Sequence, residues 1–287
     1  MTMQERIAKE IAELTKGVPF EKRNEVLANY YCKIKNDEVG SRTGYDCKLC
    51  KNKAVVYKPN LDDPYSPDAY YCRCENIRTS LARLEKTGLI HSIKNKTFDK
   101  FVTAEKWQEE LKQAAMTYAG TNTTAWLIIC GAVGSGKSHL CTAIVRQFIF
   151  YGFDLRYMPY ADTMIHLKAA RKDSDKYFEL VQPFKTCDVL YIDDLFKGSL
   201  TAVDPAIMFE IIDYRYKNNL RTILSTEKTC NQLIDVDEAV GTRILEQCRL
   251  YKYEISRGEG KNYRLNDTHC KQREGQTDKR DDGGKPS

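Results

Sequence analysis

No stretch of about 18 consecutive apolar residues occurs in the 287-residue chain, so nothing in it reads as a membrane-spanning helix. A secretory leader is not evident either, because Met1-Thr2-Met3-Gln4-Glu5-Arg6 leads into a charged amphipathic pattern at Ile7, Ile11 and Leu14 rather than an apolar core. These two absences give the expectation of a cytoplasmic protein with no membrane partner. A strong charge of one sign is also lacking, at +5 overall, but the excess is not spread evenly. Residues 1–100 hold 19 Lys and Arg against 14 Asp and Glu, and the remainder holds 26 of each. That asymmetry suits an acidic or nucleic-acid partner and equally a solvated basic surface. Disulfides are excluded by the same compartment, since cytosolic thiols stay reduced, so metal binding is the better use for clustered cysteines among the eleven present.

The most informative stretch runs from Trp126 to Ser138. The apolar run Trp126-Leu127-Ile128-Ile129-Cys130 feeds into Gly131-Ala132-Val133-Gly134-Ser135-Gly136-Lys137-Ser138, followed by an expected helix from Leu140 to Phe150. Strand, G-x-x-x-x-G-K-S and helix form a phosphate-binding loop, because the glycines let successive backbone N–H groups face the phosphates beside a positive helix end. Lys137 is placed to pair with β- and γ-phosphate oxygens and Ser138 to hold Mg²⁺. The expected nucleotide contacts are Gly131, Gly134, Ser135, Gly136, Lys137, Ser138 and His139, and the expected ligand is ATP.

Earlier in the chain, Cys47-Lys48-Leu49-Cys50 and Cys72-Arg73-Cys74 flank a segment with Val55-Val56-Tyr57 and Tyr70-Tyr71 that fits a short hairpin. Four thiolates brought together by two tight turns suit tetrahedral Zn²⁺, and a filled shell makes the site structural. Cys32 and His91 are spare ligand types nearby, read as ordinary residues. Residues 1 to about 40 carry helical periodicity that could dock a partner or pack on its own domain.

Downstream of the loop, strand and helix patterns alternate as a parallel sheet requires. Strands are expected at Leu155–Met158, Val189–Ile192, Thr222–Leu224 and Leu250–Ile255, making five with the first. The third ends in Asp193-Asp194, carboxylates at the edge where such sheets bind ligands. Asp193 fits the Walker B magnesium ligand and Asp194 the acid that orients water. Ser225-Thr226-Glu227 follows the next strand. A Glu facing phosphate is repelled, so Thr226 or Ser225 is expected beside the nucleotide, with Glu227 turned toward the water or a neighbouring subunit. Arg243 and Arg249 are candidate fingers toward a neighbouring subunit, and Arg264 a contact to the chain's own nucleotide.

Taken together, the cysteine knuckles, the Thr97-Phe98-Asp99-Lys100-Phe101 linker, the glycine loop, Val189-Leu190-Tyr191-Ile192-Asp193-Asp194, Ile211-Ile212-Asp213-Tyr214-Arg215-Tyr216, Ser225-Thr226 and Gly241-Thr242-Arg243 resemble the replicative helicase loaders of DnaC/DnaI type. The match runs from about Asp46 to Arg264. The resemblance implies an AAA+ ATPase with a three-layer α/β core and a five-stranded parallel sheet, preceded by a small helical and zinc-knuckle domain. It further implies slow, switch-like ATP hydrolysis, a DnaB-type hexameric helicase gripped by the N-terminal domain, single-stranded DNA as a partner, and self-association through the AAA+ domains. In such loaders the insertion corresponding to residues 162–182, with Lys168, Arg171, Lys172 and Lys176, contacts DNA; a solvated charged face is the other reading. Two positions depart from the loader pattern: Glu227 stands where Asn is usual, and Gln247 where a second arginine is usual. The expected domains are 1–96 (zinc and helicase binding), 97–265 (AAA+) and 266–287 (a polar disordered tail). A transposition helper ATPase of IstB type shares the core and is the alternative reading, usually without the knuckles. A small-molecule kinase would require an Arg-bearing lid that the sequence does not offer.

Overall fold

The structure, a computed structural model, describes residues 3–256 together with Gly258 and Asn262. Arg264 and the expected tail lie outside the described residues. Cα packing divides the chain into two compact units, the first running to Ala82 and including Phe150–Phe153, the second comprising Arg83–Ile149 and Asp154 onward. The sequence reading set its boundary at 96/97; the second unit begins 14 residues earlier, within a helix.

In the first unit, α1 (Met3–Leu14) and α2 (Phe20–Asp37) are separated by Gly17 in the left-handed region and Pro19, a stop and a start signal in three residues. β1 (Val55–Lys58) and β2 (Asp68–Tyr71) then pair antiparallel, with Val55 opposite Tyr71 and Lys58 opposite Asp68. The connection between them is braced by Asn60, whose side-chain oxygen accepts from the backbone N–H groups of Asp62 and Asp63, both at 3.0 Å. α3 (Cys74–Lys86) starts on the last cysteine.

In the second unit, α4 (Leu89–Asn95) is a short helix that the sequence reading passed over, since its periodic signal is limited to two buried residues, Leu89 and Ile93. α5 (Lys106–Gly120) opens on a capping box between Glu105 and Gln108. The α/β alternation follows: β3 (Leu127–Gly131), α6 (Lys137–Tyr151), β4 (Leu155–Pro159), α7 (Tyr160–Ala170), α8 (Ser174–Thr186), β5 (Val189–Asp193), α9 (Val203–Lys217), β6 (Arg221–Ser225), α10 (Cys230–Val236), α11 (Glu238–Gln247) and β7 (Lys252–Ile255). The five strands form one parallel sheet in the order β4-β5-β6-β3-β7. β3 and β6 are buried at every residue, which is why they read as continuous apolar runs rather than alternating ones.

Both sheet faces are covered. Ile128, Cys130, Leu190, Ile192 and Leu224 join one core with residues of α7, α8, α9, α10 and α11. The alternate residues Leu127, Ile129, Tyr191 and Ile223 belong by strand alternation to the other face, and they too are fully buried. On the helices that precede and follow β3, Tyr118 packs edge-on against Phe148, ring centres 5.9 Å apart. The Arg215 side chain, fully buried, ties the base of the sheet together. Its guanidinium donates to Thr222 Oγ1 (2.9 Å), to the carbonyls of Phe184 (3.0 Å), Lys185 (3.1 Å) and Cys187 (2.9 Å), and to that of Arg221.

This strand order decides where chemistry can occur. From β3 the chain crosses to the far edge and returns through β5 and β6, so the loops leaving β3, β5 and β6 converge at one end of the sheet.

Candidate nucleotide site and cysteine cluster

The loop after β3 has Gly131, Gly134 and Gly136 at φ 101°, 74° and 89°. Gly136 is obligatory for a second reason, since a Cβ there would stand 2.6 Å from the Phe101 ring. Lys137 opens α6 with its side chain folded under the loop, donating to the carbonyls of Gly131 (3.0 Å) and Ala132 (2.7 Å). Burial pulls its ammonium below the ordinary lysine range, and the Glu227 and Asp194 carboxylates push it back. Ser135 Oγ braces the loop on the Ala132 carbonyl at 2.8 Å.

Ser138 Oγ donates to Asp193 Oδ1 at 2.9 Å, joining residues 55 positions apart. Asp193 also accepts from Ser225 Oγ and, on its other oxygen, from Tyr157 OH at 3.2 Å. A hydroxyl and a carboxylate oxygen side by side at the mouth of a phosphate loop are a donor set that suits Mg²⁺. Asp194 follows in the left-handed region at φ 57°, a conformation uncommon for a residue with a side chain. Its N–H donates to Ser225 Oγ at 3.0 Å, and its carboxylate pairs with Lys197 at 2.8 Å.

The remaining expectations resolve in different ways. Ser225, not Thr226, has its hydroxyl on the Asp193 carboxylate. Thr226 is fully buried; its hydroxyl donates to the Leu195 carbonyl at 2.8 Å, and its own carbonyl accepts from the Gly131 N–H at 3.0 Å. The His139 Nε2–H donates to the Thr97 carbonyl (2.8 Å), and the ring packs edge-on against Phe101 at 5.3 Å. Burial lowers its pKa, favouring the neutral ring. Arg243 lies apart from this cleft: it pairs with Asp213 at 3.2 Å and stands 5.0 Å from the Phe209 ring centre, on the contact between α11 and α9. Arg249 is exposed, and Arg264 lies outside the described residues. Lys168, read as part of a basic cluster, is engaged with the buried Asp204 at 3.0 Å, whereas Arg171, Lys172 and Lys176 are exposed.

A cleft of about 340 Å³ runs over the loop, and its other wall contains Lys96, Lys100, Phe101 and Lys197. None of these four was singled out from sequence as a site residue. Thr97 to Phe101 read there as a linker; in the fold it packs against the phosphate loop, and Phe101 followed by an apolar Val102 was the available signal.

In the first unit, the Sγ atoms of Cys47, Cys50, Cys72 and Cys74 lie within 4.8 Å of one another. Two of the distances are 3.8 Å (Cys47 to Cys72) and 3.4 Å (Cys50 to Cys74). Tetrahedral zinc with Zn–S bonds of about 2.3 Å requires sulfurs about 3.8 Å apart, so the cage fits such an ion. Arg78 Nη1 donates to Cys74 Sγ at 2.8 Å, and Asn52 Oδ1 receives the Cys47 N–H at 2.8 Å, the kind of outer support that orients thiolate ligands. Cys32 is not in the cage: its Sγ contacts the Tyr57 carbonyl at 3.1 Å.

A phosphate loop leaving a buried strand, a strand-end carboxylate touching the loop serine, and a parallel sheet in this order define the AAA+ class of ATP-binding folds. The chain belongs to the IstB-like ATP-binding protein family, whose model matches residues 76–270. Among its relatives is YqaM of Bacillus subtilis (strain 168), an uncharacterized protein 32% identical over 219 residues, covering 70% of this chain and 68% of YqaM. The phage-like element PBSX protein XkdC of the same strain is 31% identical over 240 residues, covering 77% and 85%. The replicative helicase loader DnaC of Buchnera aphidicola subsp. Acyrthosiphon pisum (strain APS) is 24% identical over 186 residues, covering 61% and 72%. The kinship with DnaC-type proteins read from the motifs therefore stands. No described helix is long and apolar enough to cross a membrane.

Proposed function

We propose that the protein is an ATP-dependent loader that delivers a DnaB-type hexameric helicase onto single-stranded DNA. The observation that carries the ATPase part is the contact between Ser138 and Asp193, a divalent-cation donor pair at the mouth of a phosphate loop. ATP with Mg²⁺, when bound, supplies the scissile phosphoanhydride. Ser138 and Asp193 hold the metal, and Lys137 exchanges its loop carbonyls for phosphate oxygens. Asp194 orients a water toward the γ-phosphate, and a neighbouring subunit's Arg243 or Arg249 neutralises developing charge once the AAA+ domains associate. Hydrolysis is slow and switch-like, timing the handover of the helicase.

The four-cysteine cage holds one structural zinc ion and stabilises the small N-terminal unit, which grips the helicase. Arg171, Lys172 and Lys176 on and between α7 and α8 meet the DNA backbone. Relatives support this assignment through DnaC. The test is reconstitution with a hexameric DnaB-type helicase and a circular single strand. The expected result is a stable complex in ATP and helicase on the circle after turnover. Absence of any complex in ATP, ADP or neither overturns the loader reading. The family match to IstB-like proteins supports a second reading, a transposition helper. That reading requires ATP-dependent binding to a transposase and to duplex DNA, with the helicase ignored.

A further inference from the structure

Position 227 ends up in the nucleotide cleft with a side chain that cannot donate a hydrogen bond. Glu227 lines the cleft beside Gly136, Lys137 and Asp194, where an incoming γ-phosphate would face it charge to charge. Lys197 stands between them. Its Nζ is 2.8 Å from Asp194 Oδ2 and 3.0 Å from Glu227 Oε1, a direct ion pair to each of the two acids. We propose that Lys197, carried by Glu227, reads the γ-phosphate, so that the donor this site needs comes from the loop after β5 rather than from position 227 itself. The inference rests on the ATPase reading above.

Three features support it. The backbone of the pair is fixed: the loop after β5 is strapped to the end of β6 through Leu195 N–H to the Ser225 carbonyl (2.8 Å), Thr226 Oγ1 to the Leu195 carbonyl (2.8 Å), and Asp194 N–H to Ser225 Oγ (3.0 Å). Lys197 thus has a defined reach. The ion pairs are loose, because Lys197 remains 45% exposed and both acids 33%. Pairs so open to water are weak, so a multiply charged phosphate can take the ammonium without a large penalty. Finally, the exchange has a consequence for the acid. When Lys197 leaves Asp194 for phosphate, the Asp194 carboxylate is released to orient water, and Glu227 stays paired instead of repelling the ligand. Occupancy by a triphosphate, and not by a diphosphate, would therefore arm the site.

Calorimetric titration of the full chain with Mg²⁺ and either ADP or a non-hydrolysable ATP analogue tests this. Loss of one charge-assisted hydrogen bond to the γ-phosphate predicts that Lys197→Met weakens the analogue by about tenfold and leaves ADP within about twofold. Lys197→Arg is expected to restore most of the preference, and unchanged ADP affinity certifies the fold. As a positioning residue, Glu227 should act through Lys197: Glu227→Gln weakens the analogue by about threefold alone and adds nothing to Lys197→Met. If the natural chain binds and hydrolyses ATP while Lys197→Met keeps its preference for the analogue over ADP, the assignment to Lys197 is wrong and the ATPase reading survives. If the natural chain binds neither nucleotide, both fail.

Discussion

Asp193 and Asp194 are neighbours in sequence with opposite surroundings. Asp193 accepts from Ser138, Ser225 and Tyr157, whereas the Asp194 carboxylate pairs with a half-exposed lysine. A residue held by three hydroxyls is placed to stay put and hold a metal, and one paired to a half-exposed cation is open to meet water. Asp194→Asn is therefore expected to keep ATP affinity within about twofold while turnover falls by roughly 10²–10⁴, the usual contribution of a positioned acid or base, read by nucleotide titration beside a phosphate-release assay. At this scale the glycine loop, Lys137, Ser138 and both aspartates were legible, because their spacing is fixed by one ligand's geometry. The choice between Ser225 and Thr226 was not. Ser225 ends β6 and Thr226 follows it, but strand alternation sends neighbouring side chains opposite ways, and only the register with β5 tells which hydroxyl meets Asp193.

Among the elements, α9 and the α7–α8 pair show what a pattern can and cannot say. Arg215 sat in a family-like segment with no role; in the fold it satisfies five acceptors at the base of β5 and β6, with burial pulling its pKa below the ordinary value. Arg215→Met leaves those groups without their donor and is expected to cost about 3 kcal/mol of stability, measured by urea unfolding. The α7–α8 cluster separates into two kinds of charge. Lys168 is committed to Asp204, which Tyr160 OH and the Thr201 N–H also hold, and so belongs to stability. Arg171, Lys172 and Lys176 are free to meet phosphates. Reversing these three is expected to flatten the dependence of log affinity on log salt for a single strand by about 2, at roughly 0.7 per phosphate contact. Sequence could not sort them, since the partner of Lys168 lies 36 residues away.

The whole molecule joins two kinds of construction. The core of the second unit is apolar and parallel, and was readable from its runs; the first unit is small and depends on a thiol cage that the cysteine spacing announced. Metal analysis of the full chain is expected to find about one zinc ion, lost in Cys50→Ser together with helicase capture, while ATP affinity stays within about threefold. The linker was misjudged at this scale. Thr97 contacts His139, and Phe101 packs on His139 and Gly136, a role set by packing that only the apolar Phe101-Val102 pair hinted at. ATP-driven loading requires the cleft over Lys137 to accept a nucleoside triphosphate. Equilibrium titration of the full chain with ATP and Mg²⁺ measures this directly. One saturable, magnesium-dependent site that disappears in Lys137→Ala is the predicted result; no saturable binding at millimolar ATP and Mg²⁺ would contradict it.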